Sequence, residues 1–265
     1  MGFEKPTREL SIGEIISQAF RLYRARFPLF FVPYFVVGVA TAIVDLALIG
    51  SIPPSPTPGS SPTVVTQWFS SFFAALFFIT IVFGVISWVI GAIATGMVIK
   101  GGSDVLVKGG GTLRESFSFA MSRLGSLLGA SLLTGILIMV GTLLLVVPGI
   151  ILAIMFSLVV PAIVIEEKNV FESLDRSRRL VSNRWSDVFV IFLIVGIIVF
   201  AVSGTLSLGN FIIFRFGTLP LAITTILVSL ISPIVPLTST SLYYSMLARE
   251  SGSMPPPPPP VPPQV

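Results

Sequence analysis

The chain reads as an all-α integral membrane protein of six transmembrane helices, joined on one side by short amphipathic helices. Three observations predict this. Charged residues make up only 11% of the 265 residues and the mean hydropathy is +0.98, whereas an ordinary soluble domain carries roughly 25% charged residues. Uncharged apolar runs alternate with short charged segments, and the runs are long enough for a helix to cross about 30 Å of hydrocarbon. Counting six crossings puts 15 of the 16 Lys and Arg residues on one side, with Arg215 alone opposite. The cytoplasmic preference of basic residues accounts for that asymmetry.

The six predicted spans cover residues 27–51, 72–99, 124–147, 149–165, 188–206 and 218–248. The third and fourth come from one uncharged run of 42 residues, 124–165, too long for a single crossing even with tilt. Pro148-Gly149 is the strongest turn signal in it and predicts a tight helical hairpin, the alternative being one long helix kinked at Pro148. Residues 1–250 form the six-helix membrane domain, and 251–265 (SGSMPPPPPPVPPQV) a disordered tail that reads as a solvated polyproline II rod. GGSDVLVKGGG, between spans two and three, reads as a flexible connector, because its glycines lack the lysine and hydroxyl order of a phosphate-binding loop. Trp68 is expected at the outer membrane interface, with Trp185 and Tyr243-Tyr244 at the inner one. The mixed charges of MGFEKPTREL do not resemble a cleaved signal peptide, so the first span reads as a retained anchor.

Three charged segments share a pattern. Aligned on Glu14, Glu115 and Glu172, they place Ala19, Ala120 or Ser177 five residues after the acid, and Phe27, Leu128 or Trp185 thirteen after it, where a span begins. The implied unit is an amphipathic helix followed by two spans, present three times in parallel. In the first copy Leu10, Ile12, Ile15, Ile16, Ala19, Phe20 and Tyr23 recur at helical spacing, with Arg21, Arg24 and Arg26 toward the other face.

Composition excludes much chemistry. With no cysteine and no histidine in the sequence, thiolate nucleophiles, zinc-thiolate sites and the commonest general base are absent. No catalytic residue, cofactor or metal is expected. The pI near 9.8 comes from basic residues beside apolar spans, which fits membrane topology and not a nucleic-acid groove.

The run LLLVVPGIILAIMFSLVVPAIVIEEKNVFESLDRSRRLVSNRW, residues 143–185, combines a Pro-Gly hairpin, Pro161 near the end of the next span, Glu166 soon after it, and a helix bearing Glu, Ser, Arg and Leu. It resembles the prokaryotic families grouped as the glycerophosphoryl diester phosphodiesterase membrane domain, and LSIGEIISQAFRLYRARFPLFF resembles their start. The resemblance reaches about Arg249 and implies only the membrane part. The phosphodiesterase barrel needs acids and histidines around a metal, so no such activity is implied for a chain without histidine.

Several residues invite a functional reading. Arg176, Arg178, Arg179 and Arg184 match anionic phosphate headgroups or a partner, and equally serve topology and local pairing with Glu172 or Asp175. Pro161, Pro233 and Pro236, with the hydroxyls of 238–241, mark broken helices that either line a path or are packing kinks. Ser87, Gly91 and Thr95, with Gly125 and Gly129, form small-residue stripes that suit packing within the chain or a homo-oligomer seam. Asp45, an acid within an apolar span, lies near the outer end of span one, where interfacial water can reach it. Together these favour a non-catalytic multi-pass protein of the plasma membrane, organising lipid or holding a partner complex at the cytoplasmic face. A transporter or channel subunit, with a path near the breaks in spans four and six, is the alternative.

Both termini are expected in the cytoplasm. Single cysteines introduced at Pro58 and Pro258 should label only from outside and only from inside, respectively. Labelling of both from one side would defeat the six-span topology.

Overall fold

The computed structural model describes residues 5–51, 54–213 and 219–252, among which all regular structure is helical. The tail from 253 onward and Arg215 lie outside the described residues. The helices are α1 (Ile12–Ala25), α2 (Phe27–Gly50), α3 (Pro62–Lys108), α4 (Leu113–Ser122), α5 (Leu124–Leu144), α6 (Val146–Met155), α7 (Val159–Ile165), α8 (Val170–Ser182), α9 (Trp185–Ile213), α10 (Leu219–Val228) and α11 (Ile234–Gly252). Among the described residues, five helical segments are long and apolar enough to cross a membrane: α2, α3, α5, the α6–α7 pair and α9. With their backbone groups bonded internally, these are the elements a bilayer accepts.

The sixth expected span is not one continuous apolar helix. Ser229 to Pro233 interrupt it with turns, and neither α10 nor α11 qualifies as a crossing by length and hydropathy. The α11 helix is largely buried. Its face from Ile234 to Ser245 packs against α3 and α7, and Thr238, Ser239, Thr240 and Ser241 are all buried. A helix enclosed over most of its surface needs little apolar surface for lipid, which accounts for its low hydropathy.

The second predicted connector is also helical. The α3 helix continues past Ile99 to Lys108 and ends at Gly109, whose φ of +73° is the left-handed cap that glycine adopts freely. Gly101 and Gly102 are contact points inside this helix: a Cβ on Gly102 would lie 3.2 Å from Leu237 and 3.4 Å from Thr240. Asp104 is buried and pairs with Lys100 and Lys108 one turn away on either side, each at 2.9 Å. At 47 residues, α3 is about 70 Å long, so it overhangs the hydrocarbon. Its N-terminal half exposes Phe69, Phe73, Phe77 and Phe78, as a lipid-facing helix does.

The hairpin between α5 and α6 turns at Leu145, whose backbone is extended (φ −163°, ψ 147°), and not at Pro148-Gly149. Pro148 falls in the first turn of α6, where a missing N–H costs no helical bond. Gly149 serves the crossing. A Cβ there would sit 2.1 Å from Thr142 Oγ1 and 2.9 Å from Thr142 Cα. Tyr243 and Tyr244 are core residues, 0% and 4% exposed, and not part of an interfacial belt. The Tyr244 and Ser103 hydroxyls share a 2.6 Å hydrogen bond across α11 and α3.

Gly149→Ala should therefore destabilise the hairpin by about 1–3 kcal/mol, as overpacking does. Gly125→Ala, where nothing lies within 4 Å, should be neutral or stabilise by up to about 1 kcal/mol. Thermal midpoints in mild detergent compare the two; equal midpoints would mean the α5–α6 crossing has room for a methyl group.

Candidate functional site

The amphipathic helices α1, α4 and α8 gather at one end of the bundle and begin alike. Ser11 Oγ accepts from Glu14 N–H at 3.4 Å while the Glu14 carboxylate accepts from Ser11 N–H at 2.8 Å. Asn169 and Glu172 repeat this reciprocal cap at 3.0 and 3.3 Å, and Thr112 Oγ1 accepts from Glu115 N–H at 3.2 Å. Each cap is worth about 1 kcal/mol and fixes where its helix starts. The acids that align in the sequence are thus the third residues of three helices. The positions one and five residues after them, Ile15 and Ala19, Ser116 and Ala120, Ser173 and Ser177, are all buried. They press α1 onto α11, α4 onto α3 and α8 onto α7.

This packing decides which arginines are engaged. Arg176, with its side chain 13% exposed, donates through Nε and Nη2 to Glu166 at 2.9–3.1 Å and through Nη1 and Nη2 to Glu250 at 2.9 and 2.6 Å. It ties the end of α7 and the end of α11 to α8. Hydrogen bonding to Glu250 holds the guanidinium well above its ordinary pKa, and the same contact pushes the Glu250 carboxyl below the usual range. Glu250 lies 74 positions from Arg176, and no local sequence pattern points to it. Arg184 donates to Glu9 at 3.0 Å and Asp187 at 3.1 Å. Arg179 pairs with Asp175 at 3.2 Å on the exposed face of α8, and Arg123 pairs with Glu167. Among the described residues, Arg178 is exposed without an ion pair, as are Arg21, Arg24 and Arg114.

The helix breaks are filled. Pro161 is buried in the first turn of α7, and Pro236 in that of α11, directly after Pro233. Thr238 Oγ1 donates to Ile234 O at 2.8 Å, and Thr240 Oγ1 to Pro236 O at 2.7 Å. The Tyr23 hydroxyl donates to Leu230 O in the α10–α11 break at 2.5 Å. Asp45 accepts a 2.9 Å bond from Thr225, joining α2 to α10. In the small-residue stripes, Thr95 bonds Tyr34 at 3.0 Å and Gly129 lies against Val170, Ser87 is half-buried, and Gly91 and Gly125 face open space. Gly91 and Thr95 line a groove of about 290 Å³ with Tyr34, Trp88 and Ser131. Among the described residues no group of three or more carboxylates is placed to hold a metal ion.

A family model described as a domain of unknown function, DUF7847, matches residues 10–249. No curated protein and no solved structure matches the chain.

Replacing Arg176 by Met should cost about 2–3 kcal/mol, below the figure for a fully buried pair because the Glu250 side chain is 43% exposed. Glu250 has a lowered pKa when folded, so its contribution is complete above the ordinary carboxylate range and disappears as pH falls through the folded value. Melting curves across acid pH should therefore show a shallower loss of stability in Arg176→Met than in the wild type. Parallel acid limbs would remove Arg176 as the cause.

Proposed function

Since the chain belongs to the DUF7847 family, whose description states no function, we propose from the geometry that it is a non-catalytic multi-pass membrane protein that organises anionic lipid at the cytoplasmic face. In this reading α10 and α11 together make the sixth crossing, and both termini lie in the cytoplasm of a plasma-membrane protein. Helices α1–α3, α4–α7 and α8–α11 are three parallel units. The likeness to glycerophosphoryl diester phosphodiesterase membrane domains is kept as a proposal of shared architecture alone.

One observation carries the reading: the capped helices divide the arginines into two classes. Arg176 is consumed by internal pairs, whereas Arg21, Arg24, Arg114 and Arg178 are exposed without them among the described residues. Beside these stand exposed apolar side chains, Phe27 at the start of α2, Phe117 and Met121 on α4, and Phe171 on α8. Guanidinium groups next to aromatic and thioether side chains suit the headgroup layer, where each basic residue contributes roughly 1 kcal/mol at an anionic surface. The tight packing of Pro161, Pro233 and Pro236 favours this reading over a transport path through the breaks.

The test is the variant with Arg21, Arg24, Arg114 and Arg178 all changed to Gln. Acidic lipid co-purifying in mild detergent should fall several-fold, and the wild-type content should fall with added salt. Unchanged acidic lipid with normal insertion would overturn lipid organisation and leave a partner protein as the use of these arginines.

A further inference from the structure

Where the N-terminal segment passes the starts of α1 and α9, a cavity of about 610 Å³ opens between them and α11. Its rim is charged and its floor apolar. Arg8, Glu9, Arg184 and Asp187 stand at the rim; Ile15, Ile191, Leu242 and Met246 form the floor, each no more than 4% exposed. Leu10 N–H donates to Ser245 Oγ at 2.8 Å, which holds the N-terminal segment across α11 as one wall. Gly13 lines the cavity too, and a Cβ there would meet nothing within 4 Å.

The rim is charge-balanced. Arg184 bridges Glu9 and Asp187, Arg249 lies 3.7 Å from Glu9, and Arg8 pairs with Glu14 at 2.5 Å. Guanidinium and carboxylate groups thus alternate with no net sign. Arg184 Nη1 and Nη2 face the rim, donating to Asp187 at 3.1 Å and to Glu9 at 3.0 Å. The depth is that of headgroups. Trp185 stacks on Phe189 at 5.6 Å beside the cavity, and the uncharged stretch of α9 begins just after Asp187.

We propose that this cavity holds a single zwitterionic phospholipid, its phosphate beside Arg8 and Arg184 and its ammonium beside Glu9 and Asp187. The volume lies within the range of small-molecule sites, roughly 300–1,000 Å³, and accommodates a headgroup with the first carbons of the tails. The remainder of the tails runs out along α9. A purely anionic headgroup would meet two carboxylates with no ammonium to offset them. A free headgroup would leave the apolar floor uncovered. This rests on the lipid-organising reading above but uses other residues, so the two fail separately.

The full chain is placed in nanodiscs of equal phosphatidylethanolamine and phosphatidylglycerol, re-extracted in mild detergent, and its retained lipid measured by mass spectrometry. Roughly one phosphatidylethanolamine per chain should remain. Gly13→Phe places a ring in the cavity from a helical position where replacing glycine favours the fold, and should lower that retention about tenfold. Arg184→Gln should abolish the preference over phosphatidylglycerol; should that variant not insert, Gly13→Phe decides alone. Glycerophosphoethanolamine, a headgroup without tails, should not displace the retained lipid. Wild-type retention in Gly13→Phe, phosphatidylglycerol as the lipid that Gly13→Phe releases, or displacement by the bare headgroup would each overturn the assignment. Loss in Gly13→Phe, with acidic lipid unaltered in the four-arginine variant, would keep this site and reject lipid organisation by the exposed arginines.

Discussion

The close approach of α11 to α3 and α7 is the contact on which the rest of the protein depends. Three helices meet within one another's side-chain shells because the surfaces between them are small or hydroxylated. Gly102 lies against Leu237 and Thr240, and Ser103 bonds Tyr244. In a bilayer, apolar surface gains little by leaving lipid for another apolar helix, so close packing and interhelical hydrogen bonds must hold the centre. The hydroxyls of Thr238 and Thr240 bond carbonyls within their own helix. They can therefore be buried beside Leu237 and Leu242 without the cost of an unpaired polar group.

From that centre the arrangement of the charged end follows. The C-terminal part of α3, α7 and α11 each present a platform, and α4, α8 and α1 settle on them in turn. The α1–α11 contact joins the first amphipathic helix to the last described helix and closes the set. The caps set where each helix begins, and the Arg176 bridge sets how α7, α8 and α11 lie relative to one another. Charges at this end consequently do two jobs. Those turned inward hold helices together, and those turned outward remain available to headgroups or to another protein.

The same geometry explains why the two proposed kinds of lipid contact differ in character. Exposed arginines on a helix surface attract any anionic headgroup, weakly and in a salt-dependent way. A cavity with a charge-balanced rim and a buried apolar floor discriminates by shape and by the order of charges around it. The N-terminal segment makes that difference, because Glu9 and the Leu10–Ser245 bond bring a carboxylate and a wall to Arg184 from 175 positions away.

Much of the helical layout was legible because burial in lipid imposes a crude rule: uncharged runs of sufficient length become helices. It placed α2, α5 and α9 and found the helix interruptions near Pro161 and Pro233. The acids Glu14, Glu115 and Glu172 were visible as a recurring spacing, since a capping motif is local and its residue types are few. The same rule misread Gly101 and Gly102 as a flexible connector and Tyr243-Tyr244 as an interfacial pair. Glycine marks a close contact as readily as a loop, and a tyrosine beside charges is equally at home in a polar core. Sequence by itself thus determined that the chain is helical, rich in membrane-length segments and basic at their ends, because hydropathy and capping act within a few turns. Only the tertiary structure decided that Arg176 is held by Glu250, that Gly149 serves a crossing and not a turn, and that Glu9 and Arg184 share a rim. Each of those depends on which distant segments touch, and contact across 74 or 175 positions leaves no periodicity to read.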